Sequence, residues 1–156
     1  MTKIKAAQRK YRPDRIKVLF VAESPPANGI FIMAEIACCM RCDAPLEKIQ
    51  KTDADFLLSF MKRGWYLDDL VQTPVKKQSE LKNKCRKARD DLASRIHRYS
   101  PCIVVCLVPR IRDDVEIATL KAGSDACLYA VSFPPRHSER FQAEMSLLRP
   151  RLERLP

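Results

Sequence analysis

Four short apolar runs, each followed within three residues by a proline, constrain the fold of this chain more than any other feature. They occupy residues 16–22, 65–71, 102–108 and 127–133. Apolar and β-branched side chains are typical of buried strands, and a proline cannot donate the next hydrogen bond of a sheet. The pattern therefore predicts four strands, of which residues 102–108 (CIVVCLV) are the clearest.

Helical segments separate these runs. Residues 78–99 place apolar side chains three or four positions apart, which predicts one long helix with a buried face and with its Lys and Arg residues on the other face. Further helices are expected over residues 30–40, 53–62, 111–122 and 137–150. Because strands alternate with helices, we expect an α/β fold with three layers (α/β/α) around a central, mainly parallel four-stranded sheet.

The length of 156 residues suits one domain with its own core. We predict a basic N-terminal arm over residues 1–15 and a single domain over residues 16–156. No apolar run approaches the roughly 20 residues of a transmembrane helix, and the N-terminus lacks the apolar segment of a secretory signal. We therefore expect a cytoplasmic monomer without a membrane partner.

The charge of the chain points to a polyanionic partner. Lys and Arg outnumber Asp and Glu by 29 to 19, so the formal charge is +10. The excess is concentrated in residues 1–17 and 76–98. Solvated helix faces would also account for such runs, but nucleic acid is the usual partner of a chain this basic. The three glycines form no phosphate-binding loop motif.

Ionisable side chains follow the predicted strands. Glu23 comes after the first strand, Asp68 and Asp69 lie near the end of the second, and Arg110 and His137 follow the third and fourth. Ligands of parallel sheets bind beyond the carboxyl ends of the strands, so we expect these groups to converge on one rim. A carboxylate directly after a buried strand is costly unless it is used or hydrated, which favours a functional role over a surface turn.

Four short motifs accompany the predicted strands: residues 22–26 (AESPP), 29–31 (GIF), 66–69 (YLDD) and 133–138 (FPPRHS). Together they resemble the motifs of the uracil-DNA glycosylase superfamily. Residues 22–26 stand where that family has G-E-x-P-G after its first strand, and residues 29–31 match its Gly-x-Phe. Residues 66–69 (YLDD) take the place of its Y-x-x-N, and residues 133–138 (FPPRHS) that of its F-P-x-x-H-P-[SA]. The motifs follow the family order, and the resemblance spans residues 16–150.

This resemblance implies a DNA glycosylase that flips a damaged base out of DNA and hydrolyses its N-glycosidic bond. Glu23 would stabilise the sugar cation or orient a water, and His137 would stabilise the leaving base. Phe31 would stack on the flipped base, the alternative being a core role. The other implied site residues are Ser24, Pro25, Asp68 and Asp69 around the base, and Arg136, Ser138 and Arg140 on the DNA.

Departures from the family pattern bear on activity. Ala22 and Pro26 replace two glycines, so the backbone there would approach DNA less closely, and Ser138 replaces a proline. Asp68 or Asp69 stands where the family's Asn reads uracil. Because an ionised Asp only accepts hydrogen bonds, we expect uracil specificity to be relaxed or moved toward deaminated purines. The alternative is a glycosylase-like module that binds nucleic acid with weak or no catalysis.

The seven cysteines are expected to be reduced, because disulfides are rare in cytosolic proteins. Some related glycosylases hold an iron–sulfur cluster, and Cys39 and Cys42 have a metal-type spacing. They lie after the first motif rather than before it, however, and only Cys85 takes the place of a family ligand. We therefore expect no cluster and no cofactor. Cys102, Cys106 and Cys127 are interpreted as small buried strand residues.

Overall fold

A computed structural model describes residues 3–26, 49–132 and 137–156. In these ranges the chain forms four strands and six α-helices. The strands are β1 (Val18–Ala22), β2 (Trp65–Asp69), β3 (Ile103–Cys106) and β4 (Cys127–Ala130). The helices are α1 (Lys3–Lys10), α2 (Ile49–Lys62), α3 (Gln78–Lys87), α4 (Arg89–Tyr99), α5 (Arg112–Lys121) and α6 (Ser138–Glu153), with a 3-10 turn at Pro109–Ile111. The helix predicted over residues 30–40 lies outside the described residues.

The four strands form one parallel sheet in the order β2-β1-β3-β4. Val18 of the central strand β1 is opposite Trp65 of β2 and Ile103 of β3, so the carboxyl ends of the strands lie along a common edge. Every residue of β1 is buried, as a strand covered on both faces must be. The predicted three-layer α/β/α fold with a parallel sheet is confirmed.

Alternate residues of the central strand point to two apolar cores. Leu19 and Val21 belong to the core that contains residues of α4 and α5, whereas Phe20 belongs to the core that contains residues of α2 and α6. The period of two along a strand produces this division. On the second face, Phe60 and Trp65 contact the Phe20 ring, with ring centroids 5.2 and 5.7 Å from it. The two cores cover the two faces of the sheet, and the sheet in turn positions the groups at its edge.

The helix predicted over residues 78–99 is divided at Ala88 into α3 and α4. Ala88 has φ −82° and ψ −4°, and its N–H is shared between the carbonyls of Lys84 and Cys85. With this shared hydrogen bond α3 ends, and α4 begins at the next residue. The apolar face continues across the junction. The start of α2 also differs from its prediction, since the helix begins at Ile49 rather than near Asp53.

Three side chains correct the predicted distribution of polar and buried residues. Arg95 was expected on the exposed face of the helix, but it is buried because Asp68 of β2 lies beside it. Cys102 and Cys127 were expected to be buried, but Cys102 is half-buried and Cys127 is exposed at the start of β4, one of the two edge strands of the described sheet. In the ranges that the structure describes, no helix is long and apolar enough to cross a membrane.

Candidate functional site

A carboxylate and a guanidinium meet at the carboxyl edge of the sheet. Glu23 directly follows β1, and Arg110 lies in the 3-10 turn that follows β3. Arg110 Nε donates to Glu23 Oε1 at 2.6 Å, and Arg110 Nη2 donates to Glu23 Oε2. The Glu23 side chain is only 13% exposed, whereas that of Arg110 is 52% exposed. Neighbouring parallel strands thus bring together two groups that are 87 residues apart in sequence.

A cavity of about 670 Å³ opens beside this pair. Its size falls in the range of small-molecule sites. The ends of β1, β3 and β4 and the first turns of α5 and α6 surround it. The ionisable side chains of its lining are Glu23, Arg110, Arg112, His137, Arg140 and Glu144. Among the residues that the structure describes, the lining therefore combines two carboxylates with three guanidinium groups and one imidazole.

The side of the cavity near β4 is organised by Glu144 of α6. Glu144 Oε1 accepts a hydrogen bond from Ser132 Oγ at 3.0 Å and one from Arg140 Nε at 3.2 Å. Its Oε2 accepts the backbone N–H of Ser132 at 2.5 Å. These contacts tie the end of β4 to α6, the helix whose first turn brings Arg140 to the cavity.

His137 immediately precedes α6, and its carbonyl oxygen accepts the Phe141 N–H at 2.8 Å. Its backbone position is thus fixed by the helix. The residue is exposed and lines the cavity, and its ring makes no hydrogen bond to any residue that the structure describes. An imidazole can donate to, or accept from, a group that enters the cavity.

Asp68 lies in a different environment, beneath α4. Its Oδ2 accepts from Arg95 Nη1, and its Oδ1 accepts from Gln72 Nε2 at 2.9 Å and from the Asp69 N–H at 2.8 Å. Arg95 Nη2 also donates to the Leu70 carbonyl at 3.1 Å. Because both carboxylate oxygens have protein partners, Asp68 is held as part of the fold.

Asp69 is the last residue of β2 and is also buried. Its Oδ2 accepts a hydrogen bond of 3.1 Å from Gln8 Nε2 of α1. Burial raises the pKa of Asp69 to about 7, and the nearby charge of Asp68 adds to the rise, while the Gln8 hydrogen bond and Arg95 oppose it. Neither Asp68 nor Asp69 is part of the lining of the cavity beside Glu23.

The structure brings together some of the site residues that the sequence predicted. Glu23, Ser24, His137 and Arg140 line one cavity, whereas Pro25 is buried and is not part of the lining. Phe31 and Arg136 lie outside the described residues, as does the side chain of Ser138.

Three further residues line the cavity although no role was predicted for them: Arg110, Arg112 and Glu144. Because Arg110 follows the third strand, it was expected at the same edge of the sheet as Glu23. That position was the available signal for the pairing of the two side chains. No sequence motif marked Arg112 or Glu144, because their position depends on how α5 and α6 pack.

The described cysteines are free thiols. Cys85 and Cys106 are buried, and burial raises the pKa of both thiols to about 11. Such thiols are poor nucleophiles at neutral pH. Within residues 3–26, 49–132 and 137–156, no three His, Cys, Asp or Glu side chains are grouped as metal ligands would be. Cys39 and Cys42 lie outside these ranges.

The fold and the cavity define an α/β protein with a charged site at the carboxyl edge of a parallel sheet. In comparisons with known proteins, the chain matches no family model and no curated protein.

Proposed function

We propose that this protein is a DNA N-glycosidase that excises uracil or a related deaminated base. The observation that carries the proposal is that Glu23 and His137, which the resemblance to uracil-DNA glycosylases selects, line the same cavity. One follows β1 and the other precedes α6, 114 residues later in the chain. Two chemically suitable groups from distant motifs thus share a site of the size that a flipped base requires.

The chemistry of base excision suits these two groups. Departure of the base leaves a sugar with oxocarbenium-ion character and a base that carries negative charge. The Glu23 carboxylate, oriented by Arg110, would stabilise the cation or hold the attacking water. The His137 ring would donate a hydrogen bond to the oxygen of the leaving base.

The surroundings of the cavity also suit a nucleotide. A base that reacts must leave the DNA stack and enter a pocket, and the energy for this comes partly from contacts to the flanking phosphates. Arg112 and Arg140 line the cavity and are exposed, so they can make such contacts. Phe31 would stack on the base, as the resemblance implies.

A second candidate is a glycosylase-like module that binds DNA without cutting it. The observation in its favour is that both oxygens of Glu23 accept hydrogen bonds from Arg110. This pairing compensates much of the charge with which Glu23 would stabilise a sugar cation. The replacement of two family glycines by Ala22 and Pro26 also favours this candidate, because the backbone there would approach DNA less closely.

One experiment separates the two candidates. Oligonucleotides that contain uracil, hypoxanthine or xanthine are incubated with the protein, treated with alkali and examined for strand scission. We expect scission on at least one lesion, and its loss in Glu23→Ala and His137→Ala but not in the control Glu116→Ala, which changes an exposed glutamate of α5. DNA binding without scission on any lesion would favour the binding module. Scission that survives both site variants would show that the site is elsewhere.

A further inference from the structure

A second cavity, of about 400 Å³, lies on the other side of the Glu23–Arg110 pair. Both residues of the pair line both cavities, so the pair forms a shared wall. The second cavity is otherwise surrounded by α3, the start of α4 and the first turn of α5. Its basic lining side chains are Lys82, Arg86, Arg89 and Arg110.

Two of these cations have no acidic partner among the described residues. Lys82 and Arg86 are one turn apart on α3, both are exposed, and neither forms an ion pair with any residue that the structure describes. Arg89, by contrast, donates through Nε to Asp114 Oδ1 at 2.6 Å. Of the acidic residues in the lining, only Asp113 lacks a basic partner in the described part of the chain. The unpaired charge of the cavity is therefore positive.

Arg110 adds an oriented donor to this positive charge. A guanidinium group has five N–H bonds, and Glu23 accepts two of them. Three N–H bonds remain, and the pair with Glu23 restricts the orientation of the plane that carries them. A guanidinium that is already held in place loses less conformational entropy when it binds an anion.

We propose that the second cavity binds a phosphate group of the DNA strand, next to the nucleotide whose base occupies the first cavity. The DNA assignment rests on the function proposed above. Lys82 and Arg86 would donate to the phosphate oxygens from α3, and Arg110 would donate its remaining N–H bonds from the shared wall. A phosphate bound here would fix the strand relative to Glu23 and so position the sugar for attack.

The test compares two variants with the same change in charge. Lys82→Ala/Arg86→Ala alters the cavity, whereas Lys76→Ala/Lys87→Ala removes two exposed cations that do not line it. Affinity for an undamaged DNA duplex is measured by fluorescence anisotropy at several salt concentrations. We expect the cavity variant to bind about tenfold more weakly than the control and to reduce the salt slope by about 1–2, as for one or two lost phosphate contacts. Equal losses in the two variants would overturn the proposal.

Two further arms separate this proposal from the proposed function. If the parent forms abasic sites and the two variants bind DNA alike, the phosphate site is wrong and the glycosylase stands. If the parent forms no abasic sites but only the cavity variant loses affinity for DNA, the phosphate site stands and the glycosylase proposal is wrong. Inorganic phosphate is tested by thermal shift. A shift that the cavity variant loses, without any selective loss of DNA binding, would assign the cavity to free phosphate and overturn the DNA assignment.

Discussion

Replacing Asp69 by Asn is expected to stabilise this protein at neutral pH. Asp69 is buried beside the charge of Asp68, and burial is the main reason that its pKa rises from 3.8 to about 7. Gln8 Nε2 donates to Asp69 Oδ2 at 3.1 Å, and the carbonyl oxygen of an Asn can accept the same bond. The substitution therefore keeps the shape and the hydrogen bond while removing a buried charge.

The magnitude follows from the difference between the two pKa values. An acid whose pKa is raised by folding binds more protons when native than when unfolded, so its contribution to stability falls as pH rises. The loss runs from about pH 3.8, the unfolded pKa, to about pH 7, the folded pKa. One pKa unit corresponds to about 1.4 kcal/mol. The contribution of Asp69 to the free energy of unfolding should therefore fall by about 2–3 kcal/mol from pH 5 to pH 8.

The assay is urea unfolding of the parent and of Asp69→Asn at pH 5 and pH 8. The stability of the variant relative to the parent should increase by about 2–3 kcal/mol between these pH values. The control is Asp68→Asn, which breaks the buried pair with Arg95 and should destabilise the protein by about 3–5 kcal/mol. If the stability of Asp69→Asn relative to the parent is independent of pH, Asp69 does not titrate in this range and its burial does not destabilise the native state.

Further predictions concern the backbone and the core. Gly64→Ala should lower the free energy of unfolding, measured in urea, more than Gly123→Ala does. Both glycines have positive φ, but a Cβ at Gly64 would also lie 2.9 Å from Lys17 Cγ and 3.0 Å from the Arg15 carbonyl oxygen, whereas a Cβ at Gly123 would meet nothing within 4 Å. We expect about 1 kcal/mol for Gly123→Ala, and equal losses would contradict the steric argument. Trp65→Ala should cost about 3–5 kcal/mol, since the indole is 1% exposed, and a loss below 1 kcal/mol would contradict its place in the core.

The layers of the fold follow from local patterns that a sequence displays. The apolar runs ending near prolines correspond to the four strands, and the periodicity of residues 78–99 gives the buried face of α3 and α4 although not the division at Ala88. Cys127 shows the limit of this reasoning, because β2 and β4 are both edge strands with apolar sequences, yet β2 is buried throughout whereas β4 is partly exposed.

The site was less predictable than the fold, because it depends on tertiary pairing. The position of Glu23 and Arg110 at one edge follows from parallel topology, but their mutual hydrogen bonds do not. Asp68 and Asp69 illustrate the same point: their place at the end of β2 was predictable, whereas the partners Arg95 and Gln8 come from helices far away in sequence. Which side chain compensates a buried carboxylate is decided by helix packing.

Single-turnover kinetics can show whether the Glu23 carboxylate takes part in base excision. The parent and Glu23→Gln are each mixed in excess with a duplex that contains the preferred lesion, and the released free base is quantified. We expect Glu23→Gln still to bind the duplex but to release base about 10²–10³-fold more slowly. Base release at the parental rate by Glu23→Gln would show that the carboxylate takes no part in excision.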